Sequence, residues 1–189
     1  YLRTMNLMAL LIHLLFTGLF SILPYLLLKQ YGYHLNQHFY MYNIFMLLSF
    51  LISFFCVGLI RRCANSMQPL LFFSVMICCG LGMAFYMHQS FIAFMFGFSF
   101  FLIGFNLLES LLPSLVTVIA NRSERGAATG LYSSHQYLGI FLGGILSGYL
   151  LHHYTVMVTL GVYVLAACLL MPIVLLLYRF HYIRGTVLT

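Results

Sequence analysis

The sequence predicts an all-α membrane protein: six transmembrane helices arranged as two inverted three-helix repeats. Long apolar runs, a scarcity of charge and a one-sided placement of the few charges predict it. Of the 189 residues, 63% are hydrophobic and 5% charged, with a mean hydropathy of +1.05, whereas soluble domains carry roughly 25% charge. Each run is long enough for a helix to cross a core of about 30 Å. None alternates polar and apolar positions as barrel strands do. The expected spans are 5–28, 39–60, 68–88, 90–118, 127–151 and 155–178.

The first span carries His13, Thr17 and Ser21, which recur every four residues and so form one polar stripe, and then Pro24. It is too long for a signal-peptide core and has no small-residue cleavage site after it. The second span ends at Arg61 and Arg62, in a loop expected to lie in the cytoplasm. The third and fourth spans are separated only by Met87-His88-Gln89-Ser90. As a single helix rising about 1.5 Å per residue, Leu70–Val118 would be more than twice as long as the membrane is thick, so a tight hairpin at His88-Gln89 is expected.

The fourth span holds Asn106, Glu109, Ser110 and Pro113. Pro113 lacks the N–H that would bond the carbonyl four residues back, and that carbonyl belongs to Glu109, so helix kinks at a cavity are expected at Pro113 and at Pro24. The fifth span contains the small-residue pairs Gly126/Gly130, Gly139/Gly143 and Gly144/Gly148, a pattern that lets helix backbones approach closely in lipid. His135 and Gln136, adjacent between them, cannot share one helix face, so at least one is expected to point into the bundle or a cavity. The sixth span is apolar throughout.

Charge placement tests the span count separately, because short cytoplasmic loops carry the excess of Lys and Arg. With six spans, Arg3, Arg61, Arg62, Arg122, Arg125, Arg179 and Arg184 fall on one side and Lys29 alone on the other. Both termini are then cytoplasmic, and the net charge of +6 reflects topology. A nucleic-acid partner would need a clustered basic face, and none is expected.

The polar residues bound the function. A carboxylate at mid-membrane depth costs roughly 2.5–3.5 kcal/mol on insertion scales and marks a functional-site candidate. Glu109 is either a proton-carrying or cation-binding group, or a structural acid hydrogen-bonded to Asn106 or a neighbouring helix. His13 is either an interhelical hydrogen-bond partner or part of a proton relay. In two triplets, residues 1–88 and 90–178, the first helix of each carries the polar residues and a proline, Pro24 or Pro113. Such paired interruptions point to a binding site in transporters built from inverted repeats.

Other classes fit less well. A membrane serine protease would need G-x-S-G on the fourth span and a histidine on the sixth. The nearest string is Gly97-Phe98-Ser99-Phe100, and no histidine follows within the sixth span before His181, so no enzyme is expected. Cys56, Cys63, Cys78, Cys79 and Cys168 form no C-x-x-C pair and no disulfide framework. The His34/His38 and His152-His153 groups have no Cys or carboxylate close in sequence, so neither a metal nor another cofactor is expected. A structural or assembly subunit without transport activity stays open.

Phe105-Asn106-Leu107-Leu108-Glu109-Ser110-Leu111-Leu112-Pro113-Ser114-Leu115, with Arg125-Gly126-Ala127-Ala128-Thr129-Gly130 through Gly139 and Gly143-Gly144, closely resembles the tenth and eleventh helices of YajR-type transporters of the major facilitator superfamily. The likeness runs loosely over the rest of the chain, including His13 and Pro24. It implies helices seven to twelve, the C-terminal half of a proton-coupled efflux antiporter in the cytoplasmic membrane, taking a small-molecule substrate. Asn106 and Glu109 match the family's Asn-x-x-Glu and Gln136 its glutamine on the next helix, whereas His135 stands where a small hydroxyl residue is more usual. The loop carrying Arg61 and Arg62 keeps the basic residues of the superfamily's loop motif but lacks its acid.

The chain starts at Tyr1, not Met, so an N-terminal six-helix half, or else a second copy of the chain, is the expected partner besides membrane lipid and protons. Alone, the 189 residues are expected not to transport.

Overall fold

The computed structural model describes residues 2–60 and 67–187, so Arg61, Arg62 and the loop motif they belong to lie outside the described residues. The described part is helical. The elements are α1 (Leu2–Tyr25), which widens into a π-helical turn (Leu26–Gln30), α2 (Leu35–Ile60), α3 (Met67–Tyr86), α4 (Phe91–Ile119), α5 (Arg125–His153), α6 (Val156–Cys168) and α7 (Leu170–Val187).

Among the described residues, five stretches are long and apolar enough to cross a membrane: Leu2–Gln30, Leu35–Val57, Gln68–Tyr86, Phe91–Ile119 and Val156–Arg179. The expected span over 127–151 is a 29-residue helix, α5, but its glycines, serines, His135 and Gln136 keep it out of this apolar set. The expected single helix over 155–178 is two, α6 and α7, meeting at Leu169. Pro172 explains the break, because it has no N–H for the carbonyl of Cys168. The chain tightens there, and the Leu169 N–H donates to the Ala166 carbonyl at 3.1 Å.

Close backbone contact builds the bundle. Its most extensive pairings are α1 with α5 and α3 with α4. Where α3 crosses α4, a Cβ on Gly97 would lie 2.6 Å from the Ala84 nitrogen, and one on Gly80 would strike the Phe101 backbone. Where α5 crosses α1, Gly139 and Gly143 face the carbonyls of Leu10 and Leu14, and Thr17 approaches Gly144. Helices in lipid gain nothing from burying apolar surface, so van der Waals contact at small residues must hold them together. Gly126, Gly130 and Gly148 do not serve this purpose among the described residues, because the space around each is open for 4 Å. Helical spacing could not say which of the six glycines face a neighbour.

A buried polar knot fixes α6 to this seam. The Tyr163 hydroxyl donates to the Gly143 carbonyl at 3.0 Å, and the single Ser147 hydroxyl hydrogen has two acceptors within reach, the Tyr163 oxygen and the Gly18 carbonyl at 3.1 Å. At the opposite end of α1, Gln30 Nε2 donates to the His88 carbonyl at 2.6 Å, and the Tyr31 hydroxyl donates to the same oxygen. The end of α1 is thereby tied to the Met87–Ser90 turn. By contrast, α2 leaves most of its apolar surface uncovered, with Phe54 and Phe55 among its exposed residues.

Candidate functional site

Three helices deliver one side chain each to a common point. His13 lies eleven residues from the start of α1, Gln136 eleven from the start of α5, and Glu109 ten before the end of α4. At about 1.5 Å per residue, all three lie roughly 15 Å from the same end of the bundle, near the middle of a core of about 30 Å. Gln136 Nε2 donates to Glu109 Oε1 at 2.7 Å and lies 3.3 Å from His13 Nε2. Glu109 Oε2 is enclosed, and His13 Nε2 is 3.4 Å away. That is an ion-pair separation, longer than a formed N–H···O hydrogen bond.

The histidine's protonation chemistry follows from its other nitrogen. His13 Nδ1 lies 2.8 Å from the Ala9 carbonyl, which can only accept, so Nδ1 carries a hydrogen in either charge state. Nε2 is therefore the atom that gains or loses a proton, and it faces the acid. One proton held here can sit on Nε2 as part of an imidazolium–carboxylate pair or on Oε2 as part of a neutral pair. The His13 side chain is 9% exposed and that of Glu109 34%, so the acid reaches toward open space while the imidazole backs it from inside. Aromatic rings close the other side: His13 meets Phe105 edge-on at 5.4 Å, and Phe16 stacks on Phe105 at 4.4 Å.

The remaining residues singled out in the sequence lie elsewhere. Asn106 is half-buried one turn before Glu109, and no hydrogen bond joins the two among the described residues. Glu109 is instead drawn across to α5, where the Gln136 amide offers a donor. The polar stripe on α1 divides, because Ser21 Oγ turns back to the Thr17 carbonyl at 2.9 Å. His135 bonds its own helix through the Leu131 carbonyl at 2.8 Å, leaving Gln136 as the inward member of that pair. Pro113 lies inside α4, which stays helical around it, and Pro24 is exposed near the end of α1, eleven residues beyond His13. Sequence reasoning missed Tyr132, one turn before Gln136, which is 2% exposed. Its spacing of four from Gln136 was the available signal.

The Major Facilitator Superfamily profile matches residues 5–185. The chain belongs to the major facilitator superfamily. As a member of this superfamily it is a multi-pass membrane protein, and the relatives it matches are named as transporters. An uncharacterized transporter of Buchnera aphidicola subsp. Baizongia pistaciae (strain Bp) is 29% identical over 148 residues, which are 77% of this chain and 37% of that protein. The inner membrane transport protein YajR of Escherichia coli (strain K12) is 44% identical over 48 residues, which are 25% of this chain and 11% of that protein. The chain thus spans little more than a third of the first relative and about a tenth of the second.

Proposed function

We propose that the chain is the C-terminal six-helix half of a proton-coupled major facilitator transporter that expels a small molecule across the cytoplasmic membrane, with both termini inside. Its triplets, 1–88 and 90–178, are inverted repeats. The bundle rocks against an N-terminal partner bundle around a site near the membrane midplane. The observation that carries this reading is the convergence of His13, Glu109 and Gln136 from three helices at mid-depth. Intramembrane acids and histidines paired in this way mark proton relays in transporters, and the coverage of longer transporter relatives supports the half-transporter assignment.

In this mechanism Glu109 and His13 hold one proton between Oε2 and Nε2, Gln136 orients the carboxylate, and Asn106 and the open side of Glu109 meet substrate. The test is Glu109→Gln in the full-length protein, reconstituted in vesicles under an imposed pH gradient. Proton-driven flux is expected to vanish while substrate exchange without a gradient persists. Unchanged gradient-driven flux refutes the proposal.

A further inference from the structure

Five buried side-chain polar atoms among the described residues have no hydrogen-bond partner: Asn6 Oδ1, Tyr42 Oη, Ser99 Oγ, Glu109 Oε2 and Tyr132 Oη. Such atoms are rare in native proteins, and each calls for an explanation. Two of them belong together. Gln136 bonds Glu109, and Tyr132 is four residues before Gln136, which places both on one face of α5. Tyr132 is 2% exposed, and its hydroxyl and Glu109 Oε2 are both enclosed and unpartnered. Tyr42 and Ser99 lie on other faces of the bundle, and Asn6 is two turns from His13 toward the start of α1.

Hydrogen counting at the site shows what this hydroxyl can do. With one proton between His13 Nε2 and Glu109 Oε2, both atoms are served, and Gln136 supplies Oε1. When that proton leaves for water, its N–H or O–H bond breaks and a new O–H bond forms on the water that accepts it. Nε2 then becomes a bare acceptor beside a carboxylate. The Gln136 amide has two hydrogens and lies within reach of Oε1 and Nε2, at 2.7 and 3.3 Å. Its capacity is then exhausted, and Oε2 has no donor. An anionic oxygen buried without a donor is costly, and the unpartnered hydroxyl on the Gln136 face of α5 belongs to Tyr132.

Resting on the proton-site reading above, we propose that Tyr132 is a positioning residue for that site: its hydroxyl donates to Glu109 Oε2 once the proton has left the Glu109–His13 pair. Tyr132 keeps its own proton throughout and transfers nothing. It stabilises the deprotonated state and so sets how readily the site releases its proton.

Few other ionisable groups complicate the site. On α1 there are Arg3 and Tyr25, on α5 Arg125, His135, Tyr137, Tyr149, His152 and His153, on α2 His38, Tyr40, Tyr42 and Cys56, on α3 Cys78, Cys79 and Tyr86, on α6 Tyr163 and Cys168, and on α7 Tyr178 and Arg179. Neither α2, α3 nor α6 contributes a Lys, Arg, Asp or Glu. The charged residues of α1 and α5 lie in their first turns.

The experiment is a pH titration of the full-length protein in lipid vesicles, following the Glu109 carboxyl band by infrared and the His13 imidazole nitrogens by magnetic resonance, with Glu109→Gln identifying the band, repeated on Tyr132→Phe. The pH at which the site has half lost its proton is expected to rise by about one unit in Tyr132→Phe, a roughly tenfold tighter hold on the proton. Thermal stability at a pH where the site is protonated is expected to be unchanged, because the hydroxyl removed there has no partner. A midpoint equal to that of the unsubstituted chain overturns this inference and leaves the proton site standing. A stability loss without a midpoint shift assigns Tyr132 to packing and also overturns it. Titration of neither the carboxyl band nor the His13 nitrogens between pH 4 and 9 in the unsubstituted protein overturns both.

Discussion

Gly139→Ala is the sharpest test of how the site is assembled, because the obstacle it meets is backbone. A Cβ at this position would overlap the Leu10 carbonyl oxygen and lie 3.0 Å from the Leu10 carbonyl carbon and 3.1 Å from His13 Cβ, where ordinary contact begins at 3.4 Å. No rotamer change moves a helix carbonyl, so α1 and α5 must separate by on the order of 1 Å, enough to forfeit a quarter to a half of each contact's dispersion energy along the seam. Overpacking of this kind costs about 1–3 kcal/mol. Alanine also favours the helix by about 0.8–1 kcal/mol over glycine, which would mask part of the effect.

Gly148→Ala removes that ambiguity, because it carries the same propensity gain on the same helix with nothing within 4 Å. The difference between the two variants isolates the packing cost. Equilibrium unfolding in mixed micelles with increasing denaturing detergent is expected to find Gly139→Ala less stable than Gly148→Ala by about 1–3 kcal/mol. Gln136 is three residues from Gly139 and His13 three from Leu10, so the Gln136–His13 approach should open as well, visible as a changed imidazole nitrogen resonance. Equal unfolding midpoints for the two variants would refute the reasoning that backbone contact sets this geometry.

Further outcomes follow from the polar contacts. Tyr163→Phe removes the donor to Gly143 and the bond to Ser147 and is expected to cost about 1 kcal/mol, given that interhelical hydrogen bonds in membranes average about 0.6 and reach about 1.7 kcal/mol; the same unfolding assay checks it. Combining Gln30→Ala with Tyr31→Phe frees the His88 carbonyl of both donors, and amide exchange across Met87–Ser90 is expected to quicken while the His13–Glu109 region is unaffected. Burial pushes the Tyr31 hydroxyl up to about 12 from its ordinary 10.0, so the folded chain holds this proton where the unfolded chain has released it. That contribution to stability is full below pH 10 and lost progressively between pH 10 and about 12, a loss that Tyr31→Phe should abolish in alkaline unfolding.

Much of the helical layout was legible because the apolar runs and their interruptions are local features. His13, Glu109 and Gln136 each stood out as polar residues in apolar surroundings. Their meeting was not legible, because it depends on the rotational phase of three helices far apart in sequence. Adjacency on one helix suggested Asn106 as the partner of Glu109, when the donor comes from α5. Tyr132 did not stand out because a tyrosine in an apolar helix looks like packing until its hydroxyl is found without a partner. The glycine pairs of α5 were visible, yet spacing cannot separate Gly139 and Gly143, which touch α1, from Gly126, Gly130 and Gly148, which do not. The seam of Gly80 and Gly97 went unnoticed because its glycines lie on different helices.

The glycine seam and the polar cluster are two parts of one device. A glutamine amide can reach across to a histidine at 3.3 Å only if the two helix backbones nearly touch, and Gly139, within one turn of Gln136, and Gly143, two turns from it, bring α5 onto the carbonyls of α1. α4 has no such glycine contact with α1 or α5 and meets both over a short stretch. In lipid, interhelical hydrogen bonds and packing must supply the attraction, so the Gln136–Glu109 hydrogen bond, the His13–Glu109 ion-pair approach and the Phe16–Phe105 stack hold the middle of α4 to the α1–α5 pair. Under the proposed proton coupling, taking the proton away exchanges the His13 attraction for the Tyr132 hydrogen bond and shifts the hold on α4 from α1 toward α5. Adding it back reverses the exchange. A group whose protonation changes how firmly one helix grips two others is what proton-coupled rocking of a bundle requires.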